Sequence, residues 1–492
     1  MPSTPIPASL YQIYTRTYLY PLSRQLGRPA TLDDIPDTAL DRLAEAGFEW
    51  IYLLGAWETG RIGRRISLEN QPLRRELERV VPDLKDEDIA SSCFAIARYR
   101  IHSDFGGDEA LARLRERMAA RGLRLMLDFV PNHTAIDHYW VWDYPDYFVY
   151  GSDQDLAERP HDYVRVPTAY GDWVLAHGKD PYFPSWIDTL QFDYSNPEAH
   201  QAMRAKLLDI ATRCDGVRCD MAMLVLPDVF QKVWGRSMQP FWEPAIQQVR
   251  AVYPDFTFLA EVYWNREWEL QEQGFDYTYD KLLYDALMHR DPRWVTEHLS
   301  MDPGMLGHMA HFLENHDEPR AAERLPLPEH RAAAVLTYLA PGLRFFQHGQ
   351  LEGWRMRVPM QLARPPLEQP NPQIAAMYQR LLGCLRHPAL CGQWSRMISE
   401  PSPISGEPRG QFIGYQWLGL QGERLWVVVN YSANPGGCAL RLPDGDLTGG
   451  RWQFNDLLET GRFEFDGDEL ANAGLQLELP GWAAHIFELS RI

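Results

Sequence analysis

Two short apolar runs in this sequence end in carboxylates that could do chemistry together. Gly216 to Cys219 contains Arg218 and leads directly into Asp220, and Phe258 to Ala260 leads into Glu261. One carboxyl group of such a pair can protonate the leaving oxygen of an acetal while the other meets the positive charge at the anomeric carbon. These residue types therefore point to acid-base and nucleophilic chemistry at a shared site.

Two further runs have the same build. Leu125 to His133 contains Asp128 and ends in His133. His311 to Asp317 ends in His316 and Asp317. Functional residues of parallel α/β barrels gather where the strands end, at the C-terminal face. Four such exits therefore predict one site at the C-terminal face of a parallel barrel.

The surroundings of each carboxylate suggest its task. Arg218 precedes Asp220 by two residues, so both side chains lie on one face of the strand, where the guanidinium can keep the carboxylate ionised and oriented. Asp220 is therefore the candidate nucleophile. Glu261 follows an apolar run, and burial can raise its pKa enough to keep it protonated as a general acid. A single Asp at a strand end is more often a helix cap or an ion-pair partner. The catalytic roles are therefore assigned from the occurrence of several such residues together.

Strand and helix patterns alternate to about residue 390, which predicts an α/β fold, a (β/α)8 TIM barrel. Tyr11 to Tyr18 is predicted to be the first strand, and Glu49 to Trp57 the second. The charged stretch from Arg61 to Asp88 is expected to be a solvated loop or helix. Further strands are predicted at 275–280 and 343–348, and helices at 40–47, 108–122, 197–212, 241–252, 330–339 and 374–385.

Two regions depart from this alternation. Residues 134–196 form a long aromatic-rich connection, and long connections inside compact domains are usually functional. After Pro388 the pattern changes to short alternating strands, which predicts an antiparallel β-sandwich. The predicted organisation is a catalytic barrel at 1–133 and 197–389, a short inserted domain at 134–196, and a C-terminal domain at 390–492.

Together, these stretches resemble the α-amylase superfamily of glycoside hydrolases, family 13. That family carries DxxxNH after its third strand, GxRxD at the fourth, a glutamate after the fifth and NHD after the seventh. The corresponding segments here are Asp128 to His133, Gly216 to Asp220, Glu261, and Asn315 to Asp317. All four occur in order, and the resemblance covers roughly residues 8 to 390.

The resemblance implies a role for each matched residue. It implies catalysis by Asp220, Glu261 and Asp317, with the last stabilising the transition state and binding sugar hydroxyls. It further implies substrate binding by Phe94, His133, Arg218 and His316, and an orienting role for Asp128.

The implied activity is retaining cleavage of α-glucosidic bonds, as in malto-oligosaccharides, by double displacement through a covalent glycosyl-enzyme. One alternative is a glycosyl-transferring or isomerising enzyme for sucrose- or trehalose-type α-glucosides. A second is a catalytically silent homologue that binds a glycan or a protein.

The sequence departs from the family pattern in two places. Phe94 stands at a usual tyrosine position and Arg98 at a usual aspartate position, which alters the expected wall of the sugar site. Calcium is a family option, and Asn132 keeps a usual ligand. However, Gln191 replaces a frequent aspartate, and Met223 and Leu224 replace a Lys-His pair, so a dication would lose a charged ligand. We therefore expect no metal and no cofactor.

The net charge and the cysteine content limit which classes of partner and which cellular compartment are expected. The net charge of −19 argues against nucleic acid or an anionic membrane as a partner, because phosphates would be repelled. The six cysteines form no CxxC pair and are expected to be reduced, and no signal peptide or membrane span is recognisable. A cytoplasmic protein with a small-molecule or oligosaccharide substrate is expected, and the oligomeric state is left open.

Overall fold

A closed barrel of eight parallel strands forms the centre of the computed structural model, which describes residues 6–401, 411–442 and 447–492. Each strand pairs in parallel with its two neighbours, and β1 closes the barrel by pairing with both β2 and β8. The predicted fold class is therefore confirmed. The strands are β1 (Ser9–Tyr14), β2 (Trp50–Leu54), β3 (Arg124–Phe129), β4 (Gly216–Cys219), β5 (Thr257–Ala260), β6 (Tyr277–Tyr279), β7 (Met309–Phe312) and β8 (Leu343–Gln347).

The strands read as continuous apolar runs because both of their faces are covered, as is usual in parallel sheets. Every residue of β2, β4 and β5 is buried. Gly216 opens β4 at a place without room for a side chain, since a Cβ there would lie 2.7 Å from the carbonyl oxygen of Thr257. The glycine thus lets β4 pack closely against β5.

Helices and 3-10 turns surround the barrel. The predicted first strand is too long, because the chain turns into a helix at Thr15; Tyr14 and Tyr18 are four residues apart, a spacing that also suits one helical face. The helices are Thr15–Leu26, Asp37–Glu45, Arg61–Glu69, Gln71–Val80, Gly107–Ala119, Pro197–Ala211, Pro227–Trp234, Trp242–Arg250, Glu267–Glu272, Lys281–Met288, Pro292–His298, Pro303–Gly307, Ala321–Arg324, Leu327–Tyr338 and Pro372–Cys384. The 3-10 turns are Leu32–Asp34, Asp86–Asp88, Ser103–Phe105, Ala222–Val225 and Pro388–Cys391.

The connection after β3 forms a small inserted unit. Its ends pair with each other as antiparallel strands His133–Ala135 and Thr189–Gln191. Between them lie the hairpin Tyr163–Thr168 and Gly171–Ala176, the helices Tyr139–Asp143 and Asp153–Glu158, and the turn Pro145–Tyr147. The short strands Trp57–Thr59 and Ile96–Ile101 pair beside it.

The charged stretch after β2 is folded rather than merely solvated. It contains the helices Arg61–Glu69 and Gln71–Val80, and Leu77 is completely buried. Leu77 packs with Val81, Ile89 and Leu362 in a small apolar cluster of its own. Burial of this seam holds the stretch against the loop that follows β8.

The C-terminal region is a sandwich of two antiparallel sheets. One sheet runs in the order Gln393–Arg396, Phe412–Leu418, Arg424–Asn430, Ala484–Arg491, Arg451–Asp456, Arg462–Asp466, and the other in the order Ile398–Pro401, Gly436–Arg441, Leu475–Leu479. The helix Gly467–Ala473 accompanies them. Trp417 Nε1 donates to the Leu339 carbonyl at 2.8 Å, which fixes the sandwich to the barrel helices. The exact domain boundaries remain a prediction.

None of the helices in these described ranges is both long and apolar enough to cross a membrane.

Candidate active site

Arg218 lies at the centre of the site and contacts both predicted catalytic carboxylates. It lies within β4 and is fully buried, and its Nη1 donates to Asp220 Oδ1 at 2.7 Å while Nη2 lies 2.8 Å from Glu261 Oε2. Burial raises the pKa of Asp220, and the charge and hydrogen bond of Arg218 act in the opposite direction. The second oxygen of Asp220, Oδ2, accepts no hydrogen bond from any residue in the described ranges.

Glu261 is buried at the end of β5 and held by donors on both oxygens. Oε2 accepts from the backbone N–H of Met221 at 2.8 Å, and Oε1 accepts from the hydroxyl of Tyr263 at 2.9 Å. Burial raises the pKa of Glu261 to about 7, against the lowering effect of Arg218. Met221 has a positive φ of 43°. This conformation is uncommon outside glycine, and the chain adopts it at the residue whose N–H donates to Glu261.

Asp317 enters the same cleft from the loop after β7. Its Oδ2 lies 3.0 Å from Nε2 of His316, and 36% of the Asp317 side chain is exposed. Desolvation by the cleft walls raises the pKa of Asp317, but His316 and Arg218 outweigh it and lower the pKa to about 2. His316 is itself placed by Gln12 of β1, whose Nε2 lies 3.1 Å from His316 Nδ1. Asp317 therefore stays ionised in mildly acidic solution, where Glu261 is mostly protonated.

Asp128 lies beneath these groups and has no exposed surface. One of its oxygens accepts from the Tyr52 hydroxyl, and the other accepts from the backbone N–H of Gly55 at 2.7 Å. Arg218 Nη1 is 4.0 Å away. Because its oxygens are occupied and it is sealed from the cleft, Asp128 can orient Arg218 but cannot reach a substrate.

The predicted sugar-binding residues are brought together on two sides of the cleft. The Phe94 ring lies 5.5 Å from His316 and 5.0 Å from the Arg218 guanidinium. His133 also lines the cleft, with its ring 4.9 Å from the Trp186 ring, and burial lowers the pKa of His133 to about 3. Arg98 is elsewhere, exposed above the ring of Tyr139.

The cleft encloses about 400 Å³ and has walls that the sequence analysis did not identify. Tyr263 could have been found from the sequence, because it follows Glu261 by two residues and side chains two apart in an extended chain point to the same face. Trp186 and Asp188 belong to the aromatic-rich insert, where nothing in their spacing marks them. The lining residues are Ser92, Phe94, His133, Trp186, Asp188, Thr189, Asp220, Met221, Glu261, Tyr263, Asp317, Met360 and Gln361.

The residues at the family's calcium position do not fit a dication. Asn132 Oδ1 accepts a hydrogen bond from Gln191 Nε2 at 3.0 Å, so the candidate ligand is already paired with an amide. Asp193, close by in sequence, pairs with Arg236, and Met223 and Leu224 are buried apolar side chains. Oxygen-rich, acidic coordination is what calcium requires. That no metal binds remains a prediction.

The chain resembles several solved structures over its whole length. It superposes on the maltogenic alpha-amylase AmyB from Thermotoga neapolitana with a TM-score of 0.71 at 18% identity, covering 99% of both chains. An alpha-amylase from Lactobacillus plantarum gives a TM-score of 0.68 at 21% identity, covering 98% of both. At these identities, the similarity establishes the fold.

Among curated proteins, Alpha-amylase 3 of Dictyoglomus thermophilum is 21% identical over 294 residues, which covers 55% of each protein. An alpha-1,4-glucan:maltose-1-phosphate maltosyltransferase of Cereibacter sphaeroides is 26% identical over 238 residues, covering 48% of this chain and 30% of that protein. The chain thus spans about half or less of the length of these relatives. The family model for the alpha amylase catalytic domain matches residues 93–354, more than half of the chain. The chain therefore belongs to the α-amylase family, whose members are glycoside hydrolases and transglycosylases.

Proposed function

We propose that this protein is a retaining enzyme that acts on α-glucosidic bonds by double displacement. The observation that carries the proposal is the contact of one buried guanidinium, Arg218, with the carboxylates of both Asp220 and Glu261. A single guanidinium can bridge two carboxylates only when they lie close together. Retaining pairs are separated by about 5–5.5 Å, whereas inverting pairs need a wider gap for a water molecule.

In the first step, Asp220 attacks the anomeric carbon. Its Oδ1 is held by Arg218, and none of the described residues donates to Oδ2, which leaves that oxygen available for bond formation. The glycosidic C–O bond breaks as the new C–O bond to Asp220 forms, and Glu261 gives its proton to the departing oxygen. A pKa of about 7 suits this role, because the group is largely protonated in mildly acidic solution.

In the second step, the now ionised Glu261 takes a proton from the acceptor hydroxyl. The acceptor oxygen bonds to the anomeric carbon, and the ester to Asp220 breaks, so the starting configuration returns. The ionised Asp317 can bind ring hydroxyls and stabilise the positive charge that develops in both steps. The acceptor is water in a hydrolase and a second sugar in a transglycosylase.

Malto-oligosaccharides are the proposed substrates. The relatives include proteins named as alpha-amylases, a maltosyltransferase and a 4-alpha-glucanotransferase, which supports an α-glucan substrate. These names are compatible with either water or a second sugar as the acceptor. Retention of all three carboxylates in one cleft argues against a catalytically silent homologue.

The test is the configuration of the first product. We expect the anomeric proton of the α-anomer to appear first by NMR when the protein is mixed with maltotriose or an aryl α-glucoside. The variant Asp220→Asn should give no product and serves as the control for contaminating activity. Early β-anomer would overturn the double displacement, and the absence of any product from a panel of α-glucosides would favour the silent homologue.

A further inference from the structure

We infer that this protein acts on chain ends, because residues 61–90, here called the β2 insertion, close one side of the catalytic cleft. This inference rests on the proposed function and adds the part of the substrate that is recognised. It concerns the two helices Arg61–Glu69 and Gln71–Val80 and the segment that follows them.

The β2 insertion is attached to the inserted domain, which forms one wall of the cleft. The carboxylate of Asp137 accepts from the backbone N–H groups of Arg61 at 2.8 Å and Ile62 at 3.4 Å. At Gly63, a Cβ would lie 2.3 Å from Ser91 Oγ and 3.7 Å from the Cβ of Asp188. The helix backbone is therefore packed directly behind Asp188, which lines the cleft.

The β2 insertion is also attached to the loop after β8, which contributes Met360 and Gln361 to another part of the cleft wall. The Ala90 N–H donates to the Gln361 carbonyl at 2.8 Å, and the Ala363 N–H donates to the Asp88 carbonyl at 2.7 Å. Arg364 adds an ion pair to Asp88 at 2.9 Å. Because the same segment joins both walls, a saccharide chain has no gap to pass through on this side.

The closed side is the one that faces the sugar bonded to the nucleophile. Ser92 and Phe94 directly follow the β2 insertion, and Phe94 lies against His316 and Arg218. The leaving group must lie on the side of the acid Glu261, whose hydrogen-bond partner is Tyr263. That side leads to exposed aromatic rings, since Tyr182 (60% exposed) packs at 5.0 Å on Trp264. A long leaving group therefore has room, whereas the transferred unit must be short.

Asp188 is placed to bind the hydroxyl groups at the end of the chain. Asp188 lines the cleft next to the β2 insertion, and the only group hydrogen-bonded to its carboxylate within the described ranges is its own backbone N–H. A partly buried carboxylate without a side-chain donor gains most from a ligand that supplies one. Burial also raises the pKa of Asp188. Sugar hydroxyls would provide the missing donors, with the terminal 4-hydroxyl as the natural probe.

The first experiment compares maltoheptaose labelled at its reducing end with the same compound carrying a 4,6-ethylidene block on the opposite end. We expect a product ladder that shortens in regular steps from the free end, and at least a hundredfold slower cleavage of the blocked chain. Equal cleavage of the blocked chain would overturn this inference. Release of fluoride from α-glucosyl fluoride is followed in parallel. If neither fluoride nor shorter chains appear, the proposed function fails and the inference fails with it.

The second experiment addresses Asp188. In the parent protein, removing the 4-hydroxyl of the terminal ring of maltotriose should lower kcat/KM about tenfold or more, since a carboxylate loses its hydrogen-bond donor. In Asp188→Ala the two substrates should be equivalent, while Asp172→Ala, an exposed aspartate in the insert, should behave as the parent. A full loss in Asp188→Ala on removing the hydroxyl would assign its recognition to another residue.

Discussion

Two buried charge clusters lie at the ends of neighbouring barrel strands, and they are built for opposite purposes. The active-site cluster consists of Arg218, Asp220 and Glu261 at β4 and β5. The β6 cluster consists of Asp280, His298 and His311, in which Asp280 Oδ2 accepts from His298 at 2.8 Å and from His311 at 2.7 Å. Both clusters contain an ionisable group at the exit of an apolar strand.

The clusters differ in whether every carboxylate oxygen has a hydrogen-bond donor within the protein. Asp280 Oδ1 accepts from the Leu283 N–H at 3.0 Å, so both oxygens of this carboxylate are occupied. Burial would raise the pKa of Asp280, but the two histidines outweigh it and hold the pKa well below its usual range. In the active-site cluster, both oxygens of Glu261 have donors, but Asp220 Oδ2 accepts no hydrogen bond from any described residue. Burial prevails at Glu261 and raises its pKa to about 7. A satisfied charge stabilises the fold, whereas an incompletely satisfied one is available for chemistry.

The largest expected effect is on catalysis, from Asp220→Asn. Without the nucleophilic oxygen the covalent intermediate cannot form, so kcat should fall by about ten thousandfold or more. The melting temperature should remain close to that of the parent, because the shape of the side chain is kept and a buried charge is lost. Steady-state kinetics and thermal denaturation on one preparation measure both. An inactive protein that also melts much lower would mean that Asp220 is structural.

The reverse pattern is expected for Asp280→Ala. Removing the shared acceptor leaves two buried imidazole donors without their partner, which should lower the free energy of unfolding by about 3–5 kcal/mol. Turnover of the protein that remains folded should change far less than in Asp220→Asn. Urea denaturation followed by circular dichroism measures the loss. Asp285→Ala, which removes a more exposed ion pair with Lys281, is the control and should cost less than about 1 kcal/mol.

A smaller effect of opposite sign is expected for Glu261→Gln. The folded-state pKa of Glu261 is raised, so folding binds a proton between pH 4.5 and about 7, and the stability of the parent falls as pH rises through this range. The neutral amide removes this penalty, and the variant should be more stable than the parent by about 3 kcal/mol at pH 8. Near pH 4 the two should be similar. Equal stability at pH 8 would show that Arg218 compensates the glutamate charge fully.

The barrel could be predicted from the sequence because its strands carry unmistakable apolar runs. β4, β5 and β7 end within a few residues of the predicted positions. The helices of the β2 insertion agree with the expected solvated loop or helix, but its buried seam was missed. Its many Arg and Glu residues obscure the recurrence of Leu73, Leu77 and Val81 every four residues. Its role at the cleft depends on contacts between residues far apart in sequence, such as Arg364 and Asp88, which are 276 positions apart, and no local pattern records them.

The sequence predicted which charged residues form the site, but not which of their carboxylates are paired with other side chains. Asp280 follows an apolar strand just as Glu261 does, and local sequence gives no reason to separate them. What separates them is the arrival of His298 and His311 from the chain that follows β6. Tyr263 and Tyr52 were missed for the same reason, since their hydroxyl contacts with acidic groups are set by folding rather than by composition.

The smallest expected effect is on the pH dependence of stability in the β6 cluster, and the variant His298→Gln tests it. Burial lowers the pKa of His298, but Asp280 outweighs this and the pKa is raised. Stabilisation by a histidine with a raised pKa is complete below its unfolded value of about 6.5 and is lost as pH rises through the folded value. His298→Gln should therefore be less stable than the parent by about 1 kcal/mol at pH 6, and the gap should narrow as the solution becomes alkaline. Other buried histidines titrate too, so the difference between variant and parent is the quantity to follow, with the exposed His161→Gln as control. A gap that stays constant with pH would mean that His298 does not carry its charge in the folded protein, and that geometry alone holds the β6 cluster together.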